Sequence, residues 1–328
     1  MNAMLFSLAY GIAFLCAGVM GFAIQRGGTC TVAAMNEIID TRSCGRLLAM
    51  VEASVWVCGG LLIAQVLDLL PIMPGGYRAD SLTVAGGALL GLGALINGAC
   101  VFGAIARLGS GQWAYLATPL GFYAGCLGFA AWWPSPAHRA LETGSPVLRA
   151  SSGVAALFVL FVAWRVIRPL LPGRSAGAVA GLANRIWQPH TATTVIGITF
   201  LLMMLLAGAW SYTDVLAELA RGMASGIVPR GVLGLALLGG AMLGGMTSGG
   251  LRATSVSLGQ VARCFLGGAM MGWGSLLIPG GNDGLLLVGM PLLWPYAWLA
   301  FAAMCLAIGS GLLMRRLLSE PATRGDGG

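Results

Sequence analysis

Apolar runs of about 17 to 25 residues recur from one end of this 328-residue chain to the other. A run of that length crosses the roughly 30 Å hydrocarbon core of a bilayer as a helix. Only 9% of the residues are charged and 58% are hydrophobic, whereas a soluble domain carries roughly 25% charged residues. The sequence therefore predicts an all-α polytopic membrane protein whose polar stretches serve only as loops.

Hydropathy divides the chain into about nine predicted transmembrane helices and four shorter segments. The shorter segments follow glycine breaks and are too short or too polar to span a membrane. Such backbone is tolerated at membrane depth only where protein or a cavity surrounds it, so we predict half-helices or re-entrant pieces. The crossings lie near 3–24, 47–70, 82–98, 113–133, 150–168, 191–210, 231–247, 264–279 and 291–314, and the short segments at 29–41, 99–109, 250–261 and 282–290.

The loop arginines predict which way the chain crosses the membrane. With an external N-terminus, the crossings place most of them, including Arg107, Arg263 and Arg315, on the cytoplasmic side, as the positive-inside rule requires. No basic segment precedes the first apolar run and no small-residue cleavage site follows it, so 3–24 is predicted to be a retained helix. We expect a multi-pass protein in contact with membrane lipid, with its C-terminus in the cytoplasm.

Two glycine-rich stretches, 86–103 and 267–284, align without a gap at an offset of 181 positions. Each is an apolar run that breaks at a small polar cluster, NGAC in the first and PGGND in the second. The crossing count places the stretches in opposite directions, which is the inverted repeat typical of transporters with discontinuous helices. We predict a first repeat over 1–168, a cytoplasmic linker over 169–190 and a second repeat over 191–328.

A weaker match relates Gly18, Met20 and the Gly27-Gly28 pair to positions 222 residues further on. The crossing count makes those two helices parallel. Either the count or this match is therefore wrong as a description of an inverted repeat, and the longer match at 181 positions takes precedence.

Several classes of function lack the residues that they need. The eight cysteines lie within or beside apolar runs, which disfavours a disulfide framework. There is no Cys-x-x-Cys pair and both histidines are in loops, so no zinc or haem spacing occurs. Nucleophile–base pairs, nucleotide-binding loops and a basic domain for nucleic acid are also missing. We predict a protein that is not an enzyme and has no cofactor, metal or nucleic-acid partner.

The first polar cluster, QRGGTC at 25–30, contains Gln25, Arg26, Thr29 and Cys30. Here an apolar helix ends in a double glycine and a short helix begins, with Thr29 or Thr31 available as its N-cap. Exposed amides at such a start bind an anion without a basic side chain. The alternative is that Arg26 anchors the helix end and Cys30 only fills space.

The second cluster, NGAC, places Asn97 and Cys100 between two apolar segments. A thiol is a weak donor and a weak acceptor, which suits a soft sulfur atom better than a hard cation. The cysteines that lie away from glycine breaks are interpreted as small hydrophobic side chains. Cys30 and Cys100 are the two candidates for contact with a ligand.

Two further clusters lie in the second half of the chain. In GGMTSGGLRATS at 244–255, Ser248 offers a hydroxyl, and Arg252 either faces a cavity near membrane depth or is a cytoplasmic loop residue. In PGGND, Gly281, Asn282 and Asp283 mark the helix break of the second copy. For Asp283 we favour capping of the following short helix over carriage of a proton.

These clusters, in this order and spacing, resemble the YeeE/YedE family of bacterial inner-membrane proteins, whose characterised members import thiosulfate. The resemblance covers most of the chain and rests on GFAIQRGGTC, GALINGACVFGAIARLGSG, the glycine-rich segment ending in LRATS, and GGAMMGWGSLLIPGGNDGLLL. It implies a bacterial inner (plasma) membrane location, with a periplasmic N-terminus, and an hourglass of inverted repeats. In such an hourglass, cysteines at the waist pass thiosulfate along by S–H hydrogen bonds. By position, Cys30 and Cys100 match the first two of these cysteines, and the third would fall at Gly281.

The sequence and the resemblance together predict a permease that imports a small sulfur-containing anion, with thiosulfate as the leading candidate. Cys30 and Cys100 would contact its terminal sulfur, and Arg26 or Arg252 would attract its charge. Because Gly281 replaces the third cysteine, either its neighbours supply the missing hydrogen bonds or the substrate differs.

Two alternatives remain open at this point. The first is a transporter of another sulfur or selenium species, such as sulfite, sulfide or a persulfide. The second is a membrane docking component that delivers sulfur to a cytoplasmic carrier. Members of the resembled family often occur beside a small TusA-like sulfur-carrier protein, which implies such a partner here.

Overall fold

A computed structural model describes residues 3–132, 139–141, 144–167, 186–223, 226–252 and 254–319. Most of the predicted linker 169–190, namely its residues 169–185, lies outside the described residues. The described residues fold almost entirely into helices, which end where glycine, proline or polar clusters interrupt the apolar runs. They are α1 (Ala3–Gly27), α2 (Thr31–Thr41), α3 (Gly45–Val66), α4 (Ser81–Asn97), α5 (Val101–Gly109), α6 (Ala117–Trp132), α7 (Ser152–Ile167), α8 (Pro189–Ala207), α9 (Tyr212–Ala220), α10 (Ile227–Ser248), α11 (Leu258–Leu277), α12 (Asn282–Gly284, extended by a π-helical turn Leu285–Gly289) and α13 (Pro295–Ser319).

The prediction of an all-α polytopic membrane protein is confirmed. Among the described residues, six helical stretches are long and apolar enough to cross a membrane, and α11 with α12 forms a further candidate that bends by 52° at its break. Each predicted crossing overlaps one helix, although α6 and α7 have only 16 residues each. The exact number of crossings therefore stays a prediction.

Two short segments differ from the prediction. The half-helix expected at 250–261 is wrong, because the chain from 249 to 252 and from 254 to 257 is not helical and α11 begins only at Leu258. Ser257 caps that start by accepting a hydrogen bond of 3.2 Å from the Gln260 amide. A short helix that was not predicted, α9, lies instead between the crossings α8 and α10.

The order of the helices repeats along the chain. In α1–α6 the helices are long, short and long, and after a loop again long, short and long. Helices α8–α13 repeat this order. Helix α7 lies between the two series. We therefore propose that the two copies run from α1 to α6 and from α8 to α13, with α7 as the connection, rather than dividing at residues 168 and 191.

The equivalent helices α4 and α11 pack against each other through glycine. A Cβ atom at Gly93 would lie 2.7 Å from the Gly267 carbonyl oxygen, and one at Gly274 would lie 2.7 Å from the Gly86 carbonyl oxygen. Since early residues of one helix meet late residues of the other, α4 and α11 run in opposite directions. This is the arrangement expected of inverted copies, and only glycine allows the backbones to approach so closely.

The weaker sequence match at 222 positions has a different origin. Helices α1 and α10 are neighbours that run parallel, because Gly18 contacts Gly240 and Gln25, further along α1, contacts Gly244. Their glycines correspond because the two helices share one close-packed interface. We therefore interpret them as neighbouring helices rather than as equivalent members of the two copies, and their parallel directions agree with those that the crossing count assigns to them.

We expect Gly267→Ala to destabilise the protein by about 1–3 kcal/mol, because the new methyl group would overpack the α4–α11 crossing. Its Cβ would lie 2.6 Å from the Gly93 carbonyl oxygen and 2.7 Å from the Asn97 Cβ. The matched control is Gly259→Ala in the same helix, where nothing lies within 4 Å. Thermal unfolding in detergent measures both, and equal midpoints for the two variants would contradict this packing.

The exposed Cys44, between α2 and α3, tests the predicted orientation, because the other cysteines are buried or half-buried. We expect a membrane-impermeant maleimide to label inside-out vesicles and to leave intact cells unlabelled. The Cys44→Ser variant should abolish the signal. Labelling of intact cells that disappears in Cys44→Ser would place the N-terminus in the cytoplasm instead.

Candidate functional site

Four short helices begin inside the protein, directly after a break in the chain. Their N-cap residues are Cys30 for α2, Cys100 for α5, Ser211 for α9 and Gly281 for α12. The offset of 181 positions relates Cys30 to Ser211 and Cys100 to Gly281. The two copies therefore place equivalent helix starts, with their free amides and positive dipole ends, at equivalent points.

The short helices of each copy are joined at their starts. In the first copy the Thr31 amide donates a hydrogen bond of 3.2 Å to the Cys100 sulfur. In the second copy the Thr213 amide donates a hydrogen bond of 3.1 Å to the Asp283 carboxylate, which also accepts a hydrogen bond from the Thr213 hydroxyl. The first joint thus uses a thiol and the second a carboxylate.

The cysteine pair is produced by two left-handed glycines. Gly28 has φ +56° and turns the chain out of α1, and Gly98 has φ +77° and turns it out of α4. Cys30 and Cys100 follow, both buried and close together, because the residue after Cys30 bonds to the Cys100 sulfur and the Cys30 sulfur lies against Gly103. A side chain at position 103 would collide with the Cys30 sulfur, so Gly103 is required beside the pair.

Asn97 of the NGAC cluster braces the break. Its amide group donates a hydrogen bond of 2.7 Å to the Ala99 carbonyl, and its side-chain oxygen accepts one of 2.9 Å from Thr118. The Tyr115 hydroxyl donates to the Asn97 carbonyl at 3.2 Å. The side chain and the backbone of Asn97 therefore both help to hold the turn that presents Cys100.

The break of the second copy explains why a cysteine does not fit at position 281. A side chain there would collide with Thr213, which lies against Gly281. Asn282 follows, completely buried, and neither its side-chain nitrogen nor its oxygen has a partner among the described residues. Asp283, predicted to cap the next helix, bonds instead to the start of α9.

The two breaks adjoin each other. Helices α5 and α12 are in contact, and Phe102 of α5 and Asp283 of α12 line one small cavity together with Ser211. The thiol pair and the carboxylate joint therefore belong to one central region.

A cavity of about 520 Å³ opens beside the second break. Asp214 of α9 lines it. Burial and, to a smaller extent, the nearby charge of Asp283 raise the pKa of Asp214 to about 7. Charges of both signs face this cavity, since its lining also includes Glu218, Arg221 and Arg230.

A second cavity, of about 160 Å³, lies beside the first break. Its walls are equivalent to those of the larger cavity, because Tyr115 corresponds to Tyr296 and Gly98 to Pro279 at the offset of 181. Its charged lining is entirely basic and consists of Arg107, Arg263 and Arg315.

Gln25 and Arg26 connect the end of α1 to neighbouring helices. The Gln25 amide donates a hydrogen bond of 3.3 Å to the Ser110 hydroxyl. Arg26 is buried, donates a hydrogen bond of 2.8 Å to the Thr247 hydroxyl and lies 4.9 Å from the centre of the Phe22 ring. These contacts fit the anchoring role that was the alternative for Arg26.

Ser248 and Arg252 lie at the end of α10 and in the loop that follows. The Ser248 hydroxyl donates to the Gly245 carbonyl at 2.8 Å and accepts from the Gly250 amide at 3.2 Å, which completes the helix end. Arg252 is exposed, and its amide donates to the Ser110 carbonyl at 3.3 Å. The structure groups both residues with Gln25 and Arg26 rather than with the cysteine pair.

Sequence reasoning misassigned one helix start and missed another. The N-cap of α2 is Cys30, not Thr29 or Thr31, and Thr29 is buried directly before it. Helix α9 starts after Ser211, whose hydroxyl accepts a hydrogen bond of 3.1 Å from the Asp214 amide. The Ser-x-x-Asp spacing is a capping signature, and adding 181 to position 30 also leads to 211, so either signal could have found this helix.

Short helices that start inside the protein, with polar groups at their joints and cavities at two equivalent breaks, define a multi-pass membrane protein of the transport type. A family model described as sulphur transport matches residues 26–310. The chain therefore belongs to the sulphur transport (YeeE/YedE) family, as the sequence motifs predicted. It is also 26% identical, over 90% of its length and 91% of the relative's, to the thiosulfate transporter TsuA of Escherichia coli strain K12.

Proposed function

We propose that this sulfur transporter imports thiosulfate across the bacterial inner membrane, with Cys30 and Cys100 as its central contacts. The observation that carries the proposal is the buried thiol pair at the joined starts of α2 and α5. The similarity to a thiosulfate transporter supports the choice of substrate. The fold and the family favour transport over catalysis.

The chemistry of the pair suits a small anion that must bind and leave again. An S–H group donates only a weak hydrogen bond, and its polarizable sulfur matches the terminal sulfur of thiosulfate. The starts of the short helices add free amides and the positive ends of their dipoles, which attract the two negative charges. Attraction from dipoles and weak donors binds the ion without the tight hold of a direct ion pair.

In the second copy, different groups take over the position of a third cysteine. The Asp283 carboxylate accepts two hydrogen bonds from Thr213, which disperse its charge. The unpartnered amide group of Asn282 supplies N–H donors beside it. We propose that Asn282 replaces the missing S–H contact, so that the path remains continuous without a thiol at Gly281.

We also propose that the substrate enters from the larger cavity and leaves towards the cytoplasm, where a TusA-like sulfur carrier is the expected recipient. Membrane lipid surrounds the exposed apolar faces of the long helices. Growth of an uptake-deficient host on thiosulfate, sulfite or sulfide as sole sulfur source separates thiosulfate from the other sulfur species. Binding of the carrier without uptake in proteoliposomes would favour the docking role.

We expect Cys100→Ala to lower thiosulfate uptake into proteoliposomes about tenfold or more, which corresponds to the loss of a hydrogen bond worth roughly 1.5 kcal/mol. Cys30→Ala should behave similarly. The matched control is Cys58→Ala, which removes a half-buried thiol from the long helix α3. Uptake by Cys100→Ala at the rate of Cys58→Ala, with equal amounts of folded protein, would remove the thiol pair from the mechanism.

Uptake should also depend on pH through Asp214. With its pKa at about 7, this side chain is neutral below pH 7 and negative above it, and the negative form repels an anion in the larger cavity. We expect uptake to fall as the pH of the entry side rises from 6 to 8, and Asp214→Asn to flatten this profile. The other charged or titratable groups near Asp214 are Asp283, Glu218, Arg221, Arg230 and Tyr296.

The control for this experiment is Glu218→Gln, which changes a charge in the same cavity without removing the group that titrates near neutrality. Glu218 is held by two hydrogen bonds from Arg230, of 2.7 and 2.6 Å. A pH profile that is flattened equally by both variants would show that net charge, rather than titration of Asp214, sets the dependence.

A further inference from the structure

The smaller cavity, beside the first break, has an unusual balance of charge. Arg107, Arg263 and Arg315 line it, and its lining includes no carboxylate. None of the three forms an ion pair within the described parts of the chain, whereas Arg46, Arg165, Arg230 and Arg316 each lie against a carboxylate.

Two of these arginines are held by neutral partners. Arg107 donates hydrogen bonds of 2.8 Å to the Tyr115 hydroxyl and 3.1 Å to the Gly98 carbonyl, and Arg315 donates one of 3.4 Å to the Leu95 carbonyl. Each guanidinium has five N–H donors, so several remain for a ligand. Because carbonyl and hydroxyl oxygens do not neutralise the positive charge, the cavity keeps a positive potential.

The duplicated fold provides an internal comparison. The walls of the two cavities are equivalent, but position 107 corresponds to Val288 in the second copy. The larger cavity mixes Asp214 and Glu218 with Arg221 and Arg230, and Arg230 is paired with Glu218. Uncompensated positive charge is therefore specific to the cavity of the first copy, which in the predicted orientation lies on the cytoplasmic side, where the positive-inside rule also places arginine.

The size and remaining walls of the smaller cavity limit what it can hold. Its volume of about 160 Å³ corresponds to roughly five water molecules at about 30 Å³ each. Gln260, Asn97 and Cys264 add polar groups to the wall. Guanidinium groups match the oxygens of small oxyanions in geometry and charge.

We propose that Arg107, Arg263 and Arg315 form a binding site for a small divalent sulfur oxyanion, next to the break that carries Cys100. In the predicted orientation the site faces the cytoplasm and receives the ion after the thiol pair. This assignment of an exit site rests on the proposed import of thiosulfate. The anion-binding property itself does not depend on it.

The test uses a reporter thiol introduced into the cavity wall by Gln260→Cys, in a background with Cys44→Ser. In inside-out vesicles, the reporter is labelled with an anionic and with a cationic methanethiosulfonate of similar size. We expect the anionic reagent to react faster, and Arg263→Gln or Arg315→Gln to lower the anionic-to-cationic rate ratio roughly threefold each. Sulfate, at matched ionic strength with chloride, should slow labelling by the anionic reagent, and Arg263→Gln should weaken that protection.

Arg316→Gln is the matched control, because Arg316 neighbours Arg315 in α13 but pairs with Asp40. It should leave the rate ratio unchanged. The proposed site would be overturned if Arg263→Gln and Arg315→Gln changed the anionic-to-cationic rate ratio no more than Arg316→Gln does. It would also be overturned if sulfate protected the reporter thiol no better than chloride. Arg263 donates no hydrogen bond within the described residues that its replacement would break, so this variant separates charge from folding.

The outcomes distinguish this inference from the proposed function. Anion-selective labelling without thiosulfate uptake by the parent protein would refute thiosulfate import and leave the anion site standing. Normal uptake with no dependence of labelling on the arginines would refute the site and leave thiosulfate import standing.

Discussion

The structure depends on satisfying the free amides of helices that start inside the protein. A helix start in a medium that excludes water leaves N–H groups that cost free energy unless a partner accepts them. The chain solves this by joining short helices in pairs, so that the first amide of α2 bonds to Cys100 at the start of α5 and the second amide of α9, that of Thr213, bonds to Asp283 of α12. Each joint holds together two helix starts, and the proposed substrate path uses the groups that make the joints.

This arrangement requires long helices that pack closely enough to surround the joints. Glycine residues lie at three helix contacts, namely α4 with α11, α1 with α10 and α3 with α8. At each contact a backbone or a large side chain of the partner helix occupies the space that a Cβ atom would need. Without a hydrophobic driving force between helices in lipid, such close packing is a main source of association. Many of the glycines that dominate the composition therefore serve the scaffold, and only a few, such as Gly28 and Gly98, shape the breaks themselves.

The sequence predicted the break at Cys100 because a repeated glycine pattern surrounds it, and it predicted the helical membrane fold because apolar runs are unambiguous at this length. It did not predict α9, because YTDVLAELA is too short and too acidic to stand out between two crossings. The role of Asn97 was also missed, since an amide next to a glycine reads equally well as a ligand contact or as a brace. Only the packing of Thr213 against Gly281 explains why the second copy lacks a cysteine there.

The two copies differ in the groups that join their short helices. Thr213 fills the space that a side chain at position 281 would need, and the carboxylate of Asp283 accepts an amide at the start of α9, as the Cys100 sulfur accepts one at the start of α2. An acidic joint is compatible with an anion path only if hydrogen bonds disperse its charge or a proton neutralises it. The Thr213 hydroxyl and amide supply such hydrogen bonds to Asp283. Carboxylates accompany the arginines of the larger cavity, whereas the charged lining of the equivalent cavity in the first copy is entirely basic. The two equivalent cavities thus differ in charge, and along the proposed path this difference would favour movement of an anion from the second break towards the first.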